Sequence, residues 1–171
     1  MKVLIIGGYG IFGGRLAELL LDEGRLTLFI AGRNLRSAEE FCAAHVGVAK
    51  LVAVRMDRMD GADVLNRLKP DLVVDASGPF QAYGEDPYRL VREALAAGAN
   101  YVDLADGADF VAQISTLNEL AQKSGCFALS GMSSFPVLTA AVVRKLALEL
   151  DSFDEIVAGI APSPYAVAGL N

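Results

Sequence analysis

Short apolar runs alternate with amphipathic stretches along this chain, and no other feature limits its fold as tightly. The runs are Val3–Ile6, Leu26–Ala31, Leu51–Val54, Leu72–Asp75, Tyr101–Leu104 and Phe127–Leu129. Most are continuous, as in parallel strands covered on both faces; a strand wetted on one face alternates apolar with polar. Helical patterns are predicted over Phe12–Glu23, Leu35–His45, Gly61–Leu68, Pro87–Ala97, Ala108–Lys123 and Phe135–Leu150. Gly24, Gly98 and Gly125 follow the first, fourth and fifth of these as C-terminal caps, and Pro136 suits a first helical turn. Such β–α alternation demands right-handed crossovers. The expected fold class is α/β: a Rossmann-type, doubly wound parallel sheet of about six strands in the order 3-2-1-4-5-6. Phe153–Ile160 reads as an extra C-terminal strand, followed by a stretch rich in Pro, Gly and Ala.

Composition narrows the setting. With 53% hydrophobic and 21% charged residues, the 171-residue chain is too apolar for disorder and long enough for one packed core. Its net charge of -6, with no Lys/Arg block, argues against nucleic acid as a partner. Cys42 and Cys126 lie far apart without Cys-x-x-Cys spacing, which favours reduced, buried thiols over a disulfide or metal site. The apolar N-terminal run is interrupted by glycines and lacks an A-x-A cleavage pattern, so it does not read as a signal peptide. No apolar stretch reaches the roughly 18 residues of a membrane span. The expected location is cytoplasmic.

The first turn carries the chemistry. Gly8-Tyr9-Gly10-Ile11-Phe12-Gly13 matches GxGxxG between the first strand and the first helix, the context in which that pattern binds a dinucleotide. Gly8 is expected to permit the tight turn, Gly10 to admit a pyrophosphate, and Gly13 to let helix and sheet pack closely. The helix N-terminus offers unpaired N–H groups to the phosphates. The second strand ends in "FIAGRN". A carboxylate there would bind a free ribose 2′-hydroxyl, whereas Gly32 leaves room for a 2′-phosphate and Arg33 or Arg36 can bind one. The reading is NADP over NAD, with a solvated surface arginine as the plainer explanation of Arg33. Asp57, after the third strand, is placed to accept from an adenine amino group or to cap a helix.

Other chemistries lack their residues. No Gly-Lys-Ser/Thr follows the glycines, and His45 stands without an HExxH or a cysteine cluster. GxSxG is absent, and no tyrosine has lysine four residues on, which removes the Tyr-x-x-x-Lys pair of short-chain dehydrogenases.

After the fourth strand comes "ASGPFQAYG", then "GANYVDLADG" and "SGMSSFP". Together with "GGYGIFGGRLAELL" and "AGRN", these stretches make nearly the whole chain resemble the saccharopine dehydrogenase-like (saccharopine reductase-like) NADP-binding domain. That resemblance implies pyrophosphate binding at Gly8, Gly10, Ile11, Phe12 and Gly13. It implies selection of the ribose phosphate at Arg33 and Asn34, and a loop near the nicotinamide ribose at Ala76, Ser77, Gly78 and Pro79. The chain's end departs from β–α alternation, which reads as a cofactor domain over residues 1–150 and, over 151–171, the start of a substrate and dimerisation domain, with an edge strand plus tail as the alternative. The implied activity is hydride transfer to or from an imine, carbonyl or C=C bond of a small molecule, catalysed by a longer protein and not by these residues alone. "GMSSFPVL" departs from the saccharopine-metabolising pattern, which puts that substrate in doubt. Tyr83, placed to orient the nicotinamide, and Asp103, placed to take part in proton transfer, are the catalytic candidates at strand ends, with Asp106 nearby; loop packing is the plainer account of Tyr83, and helix capping of Asp106. A stand-alone, non-catalytic NADP-binding module that senses redox state or binds a partner is the alternative.

Overall fold

A computed structural model describes residues 1–133, 137–152, 154–159 and 161. Strands β1 (Lys2–Ile6), β2 (Thr27–Gly32), β3 (Lys50–Arg55), β4 (Leu72–Asp75), β5 (Asn100–Asp103) and β6 (Ala128–Leu129) form one sheet in the order β3-β2-β1-β4-β5-β6. Every pair is parallel, so the expected topology is the observed one. Between the strands run α1 (Ile11–Leu19), α2 (Leu35–Ala44), α3 (Ala62–Leu68) and α4 (Arg89–Ala96). Then come α5 (Ala108–Gln113), α6 (Asn118–Ser124) and, after β6, α7 (Thr139–Leu146).

The strand interiors are mostly apolar because successive side chains enter opposite cores, with polar residues at strand ends. Leu4 and Ile6 of β1 pack with Phe29, Val73, Leu90 and Tyr101 on one face. Val3 and Ile5 pack with Ala17, Leu28, Ile30 and Ala38 on the other.

Four expected elements come out differently. Helix α1 stops at Leu19, well before Gly24, because Leu21 turns its carbonyl outward to accept the N–H groups of Val48 and Ala49, both at 2.8 Å. Gly24 is therefore not its cap, whereas Gly98 and Gly125 do take the left-handed conformation, with φ of 76° and 64°, after α4 and α6. The single helix expected over Ala108–Lys123 is broken by a 3-10 turn at Ile114–Leu117. There the hydroxyls of Ser115 and Thr116 bond back to the carbonyls of Ala112 and Gln113, a local competition that bends helices. Of the helix expected over Phe135–Leu150, α7 and a 3-10 turn at Ala147–Glu149 form; Phe135 and Pro136 lie outside the described residues. The extra strand does not form over residues 154–159, where no neighbouring strand pairs with the chain, and Phe153 and Ile160 lie outside the described residues. Among the described residues no helix is long and apolar enough to cross a membrane.

Strand order reverses between β1 and β4, and the carboxyl ends of both open onto the same side of the sheet. A crevice at that switch point is where open α/β sheets take their ligands.

Candidate functional site

One cavity of about 1250 Å³ runs along this carboxyl edge. Its walls come from the turn after β1, the end of β2, the turn after β3 and the loop after β4, with Leu104, Met132 and Leu138 closing the far side.

The glycine turn is built by backbone. Gly7, which the GxGxxG reading passes over, is the residue with positive φ, at 74°. A Cβ on it would lie 2.7 Å from the Ala76 carbonyl oxygen, so the turn is pressed against the β4 loop. The N–H groups of Gly7 and Gly8 both donate to the Ala31 carbonyl, at 2.9 and 3.1 Å, which ties the turn to β2. Gly8 is buried beneath the turn, where a Cβ would meet the Ile5 carbonyl at 2.8 Å; close packing, not a special backbone angle, explains it. Gly13 lets α1 approach: its Cβ would stand 2.3 Å from the Gly7 carbonyl oxygen. Gly10, Ile11 and Phe12 line the cavity, while Gly8 and Gly13 support it from below. The N–H groups of Ile11 and Phe12 have no backbone acceptor among the described residues, and they stand in the first turn of α1, where an anion is favoured. A phosphate group fits this cradle.

At the end of β2, Arg33 is exposed, lines the cavity and makes no ion pair with another described residue. Arg36 is occupied by Glu40, with Nε 2.9 Å from Oε1, and stays outside the cavity. The space expected to be vacant above Gly32 is filled by the Tyr9 ring. Asn34 does not reach the cavity; its Oδ1 accepts from Ser37 N–H as the cap of α2. Asp57 lines the cavity, and its Oδ1 accepts from Met59 N–H at 2.9 Å, capping a turn ahead of α3.

The loop after β4 is organised by side chains. Ala76, Ser77, Gly78 and Pro79 all line the cavity. Beneath them Asp75 is 0% exposed, and its Oδ1 accepts from the N–H and Oγ of Ser77, at 3.0 and 2.5 Å. The hydroxyls of Tyr83 and Tyr101 also donate to this carboxylate, at 3.3 and 3.4 Å. Arg58 brings the compensating charge: its side chain is 10% exposed and its Nε lies 3.5 Å from Asp75 Oδ2, an ion pair without hydrogen-bond geometry. Its guanidinium carbon stacks 3.2 Å above the centre of the Tyr83 ring, a cation–π contact. Burial, and next the Asp75 charge, push the Tyr83 phenol far above its usual range, so it keeps its proton at neutral pH.

Tyr83 lines the cavity, with its hydroxyl 3.1 Å from Ser77 Oγ. Asp103 does not line it. Asp103 is fully buried on β5 beside Asp75, and its Oδ1 accepts from Ala105 N–H, Gly131 N–H and Ser130 Oγ at 2.9–3.0 Å. Its Oδ2 is buried without a hydrogen-bond partner among the described residues, and burial raises its carboxyl above the ordinary 3.8. Asp106 stands on the cavity wall.

Sequence reasoning missed Gly7, Tyr9, Arg58 and Asp75. A charge closing the buried run "LVVD" was a usable signal for Asp75. Arg58, within "VRMDRMD", carries no such mark.

Comparison with known proteins accords with this geometry. No curated protein sequence matches the chain. Among solved structures, apo saccharopine dehydrogenase (L-Glu forming) from Saccharomyces cerevisiae superposes with a TM-score of 0.67 at 17% identity, over 86% of this chain and 31% of that one. Biliverdin reductase from Synechocystis, solved with biliverdin and NADP+, gives 0.53 at 19% identity, over 85% and 42%. The WlbA dehydrogenase from Thermus thermophilus, solved with NAD and alpha-ketoglutarate, gives 0.53 at 19% identity, over 85% and 46%. This chain spans less than half the length of each, and at these identities the likeness is one of fold. The family profile described as "Saccharopine dehydrogenase NADP binding domain" matches residues 3–129, from the first strand to the sixth. Over that span the glycine turn, the β2 end and the β4 loop all face one cavity, and the chain belongs to the saccharopine dehydrogenase NADP-binding domain family.

Proposed function

We propose that the cavity holds NADP(H), as the cofactor half of an oxidoreductase acting on a small molecule. The observation that carries this reading is one continuous wall that joins the glycine turn, Arg33 and the Ala76–Pro79 loop. Gly10, Ile11 and Phe12 would hold the pyrophosphate, with Gly8 and Gly13 supporting the turn behind them. Arg33, beside Asn34, would bind the 2′-phosphate, Asp57 would accept from the adenine amino group, and Ala76, Ser77, Gly78 and Pro79 would face the nicotinamide ribose. When bound, the nicotinamide supplies or accepts the hydride, so no protein nucleophile is required.

The substrate bond is an imine, carbonyl or C=C. Tyr83, kept protonated beside Asp75 and Arg58 with its one hydrogen given to Asp75, orients the nicotinamide end. Asp103 acts behind the wall, holding the loop of Ser130 and Gly131 in place. A second domain completes the substrate pocket and a homodimer, and the protein works in the cytoplasm.

Calorimetric titration tests the cofactor. NADPH is expected to bind at least tenfold more tightly than NADH, and Arg33→Ala to remove most of that difference, since hydrogen bonds to charged groups contribute about 1.5–3 kcal/mol. Gly10→Val should abolish binding of both forms while the thermal midpoint stays near that of the unmutated chain. Equal affinities for the two forms in the unmutated chain would overturn the NADP assignment. Full binding by Gly10→Val would move the pyrophosphate elsewhere.

A further inference from the structure

In chains that choose the unphosphorylated cofactor, a carboxylate at the end of the second strand binds the ribose 2′-hydroxyl. Here that place belongs to Gly32, and another side chain has taken it. A Cβ on Gly32 would stand 2.4 Å from the Tyr9 hydroxyl oxygen and 2.5 and 2.6 Å from Cε1 and Cζ of the same ring. Tyr9 starts in the turn after β1, so its side chain crosses to the end of the neighbouring strand. The Asn34 N–H donates to its hydroxyl at 3.1 Å, which holds the oxygen at this spot. A phenol that accepts in one bond still has its own hydrogen to donate. Tyr9 and Arg33 line the same stretch of the cavity.

We propose that Tyr9 reads the phosphate on the adenosine ribose together with Arg33. Its hydroxyl donates to a 2′-phosphate oxygen, and its ring excludes the carboxylate that would select a free 2′-hydroxyl. This rests on the NADP reading above and extends it to a second specificity-determining residue. A phenol donor and a guanidinium both favour a multiply charged acceptor over a neutral hydroxyl. Gly32 gains a different meaning: it makes room for Tyr9. An acidic residue at position 32 would have to expel that ring, so Gly32→Asp alone is a poor route to an NAD-preferring chain.

The probes are 2′,5′-ADP and 5′-AMP, which share the adenosine and differ by the phosphate in question, titrated calorimetrically into the 171-residue chain. Tyr9→Phe keeps the ring and loses the donor. It is expected to weaken 2′,5′-ADP about tenfold and leave 5′-AMP within about twofold, the effect of one charge-assisted hydrogen bond. Gly32→Ala, which forces the ring aside, should give the same selective loss, and the double variant should lose little more. Unchanged 2′,5′-ADP affinity in Tyr9→Phe, or an equal loss for both probes, would overturn the role of Tyr9. If Arg33→Ala still loses its phosphate preference in that case, the NADP reading stands without it. An unmutated chain that fails to separate NADPH from NADH would bring down the reading itself.

Discussion

The two ends of the cavity are made from different materials. At the β1 end the wall is backbone: Ile11 and Phe12 in the first turn of α1 present N–H groups, and the glycines around them let chain segments touch. At the β4 end the wall is a loop resting on buried side chains, where Asp75, Arg58, Ser77, Tyr83 and Tyr101 share one network. A backbone cradle tolerates no added atoms but needs no charge balance. A buried network depends on every partner being present and well placed. The two ends should therefore fail in different ways.

Asp75→Ala offers the largest contrast. It leaves Arg58 buried beside Tyr83 without its counter-charge, and the expected loss is about 3–5 kcal/mol in urea unfolding. Any fraction that folds should still bind 2′,5′-ADP, because the glycine turn is untouched, while its gain from the nicotinamide half disappears. A folded Asp75→Ala chain that loses both would show the two ends to be one unit.

Gly13→Ala attacks the other end. Its Cβ would collide with the Gly7 carbonyl, a backbone atom that cannot swing away, so α1 has to shift. Overpacking of this kind costs about 1–3 kcal/mol. Binding of 2′,5′-ADP should fall by more than that stability loss implies, since the same turn carries the phosphate, whereas the Arg58–Asp75 pair is left in place.

The smallest effect is expected at Asp103, which belongs to neither wall. Its carboxyl is raised by burial, so the folded state holds the proton more tightly than the unfolded chain does. By linkage, its contribution to stability is fully present below the ordinary 3.8 and is lost as pH rises through the raised folded value. Asp103→Asn keeps an acceptor for Ala105, Gly131 and Ser130 and removes the charge. It is expected to flatten stability against pH above the ordinary carboxylate value of 3.8. Unfolding midpoints that fall equally at all pH values would show instead that Asp103 is needed as a carboxylate.

Legibility in the sequence followed the same division. The six apolar runs and the helical stretches between them led to the sheet order without error, because burial on both faces leaves an unbroken apolar run and parallel pairing demands a crossover. The glycine turn was readable because its requirement is local: a strand, a tight turn and a helix start within a dozen residues. The break in the helix over Ala108–Lys123 was less visible, since Ser115 and Thr116 are compatible with either outcome. Arg58 and Asp75 could not be paired from the sequence. They lie on different β–α units, and only the crossover from β3 past β2 and β1 to β4 brings the turn after β3 over the end of β4.

Gly32 shows the limit most clearly. "AGRN" correctly says that no carboxylate stands at the end of β2, but it reads the glycine as vacant space. The vacancy is filled by Tyr9, from the turn of a different strand. What the sequence determined by itself was the fold and the phosphate turn, because both follow from periodicity and from spacings within one β–α unit. Tertiary structure decided the rest: which arginine faces the cavity, which carboxylate is buried beneath it, and what fills the place above Gly32. Those outcomes depend on how the sheet order and its crossovers bring strand ends together, while the residues concerned lie on different β–α units of the chain.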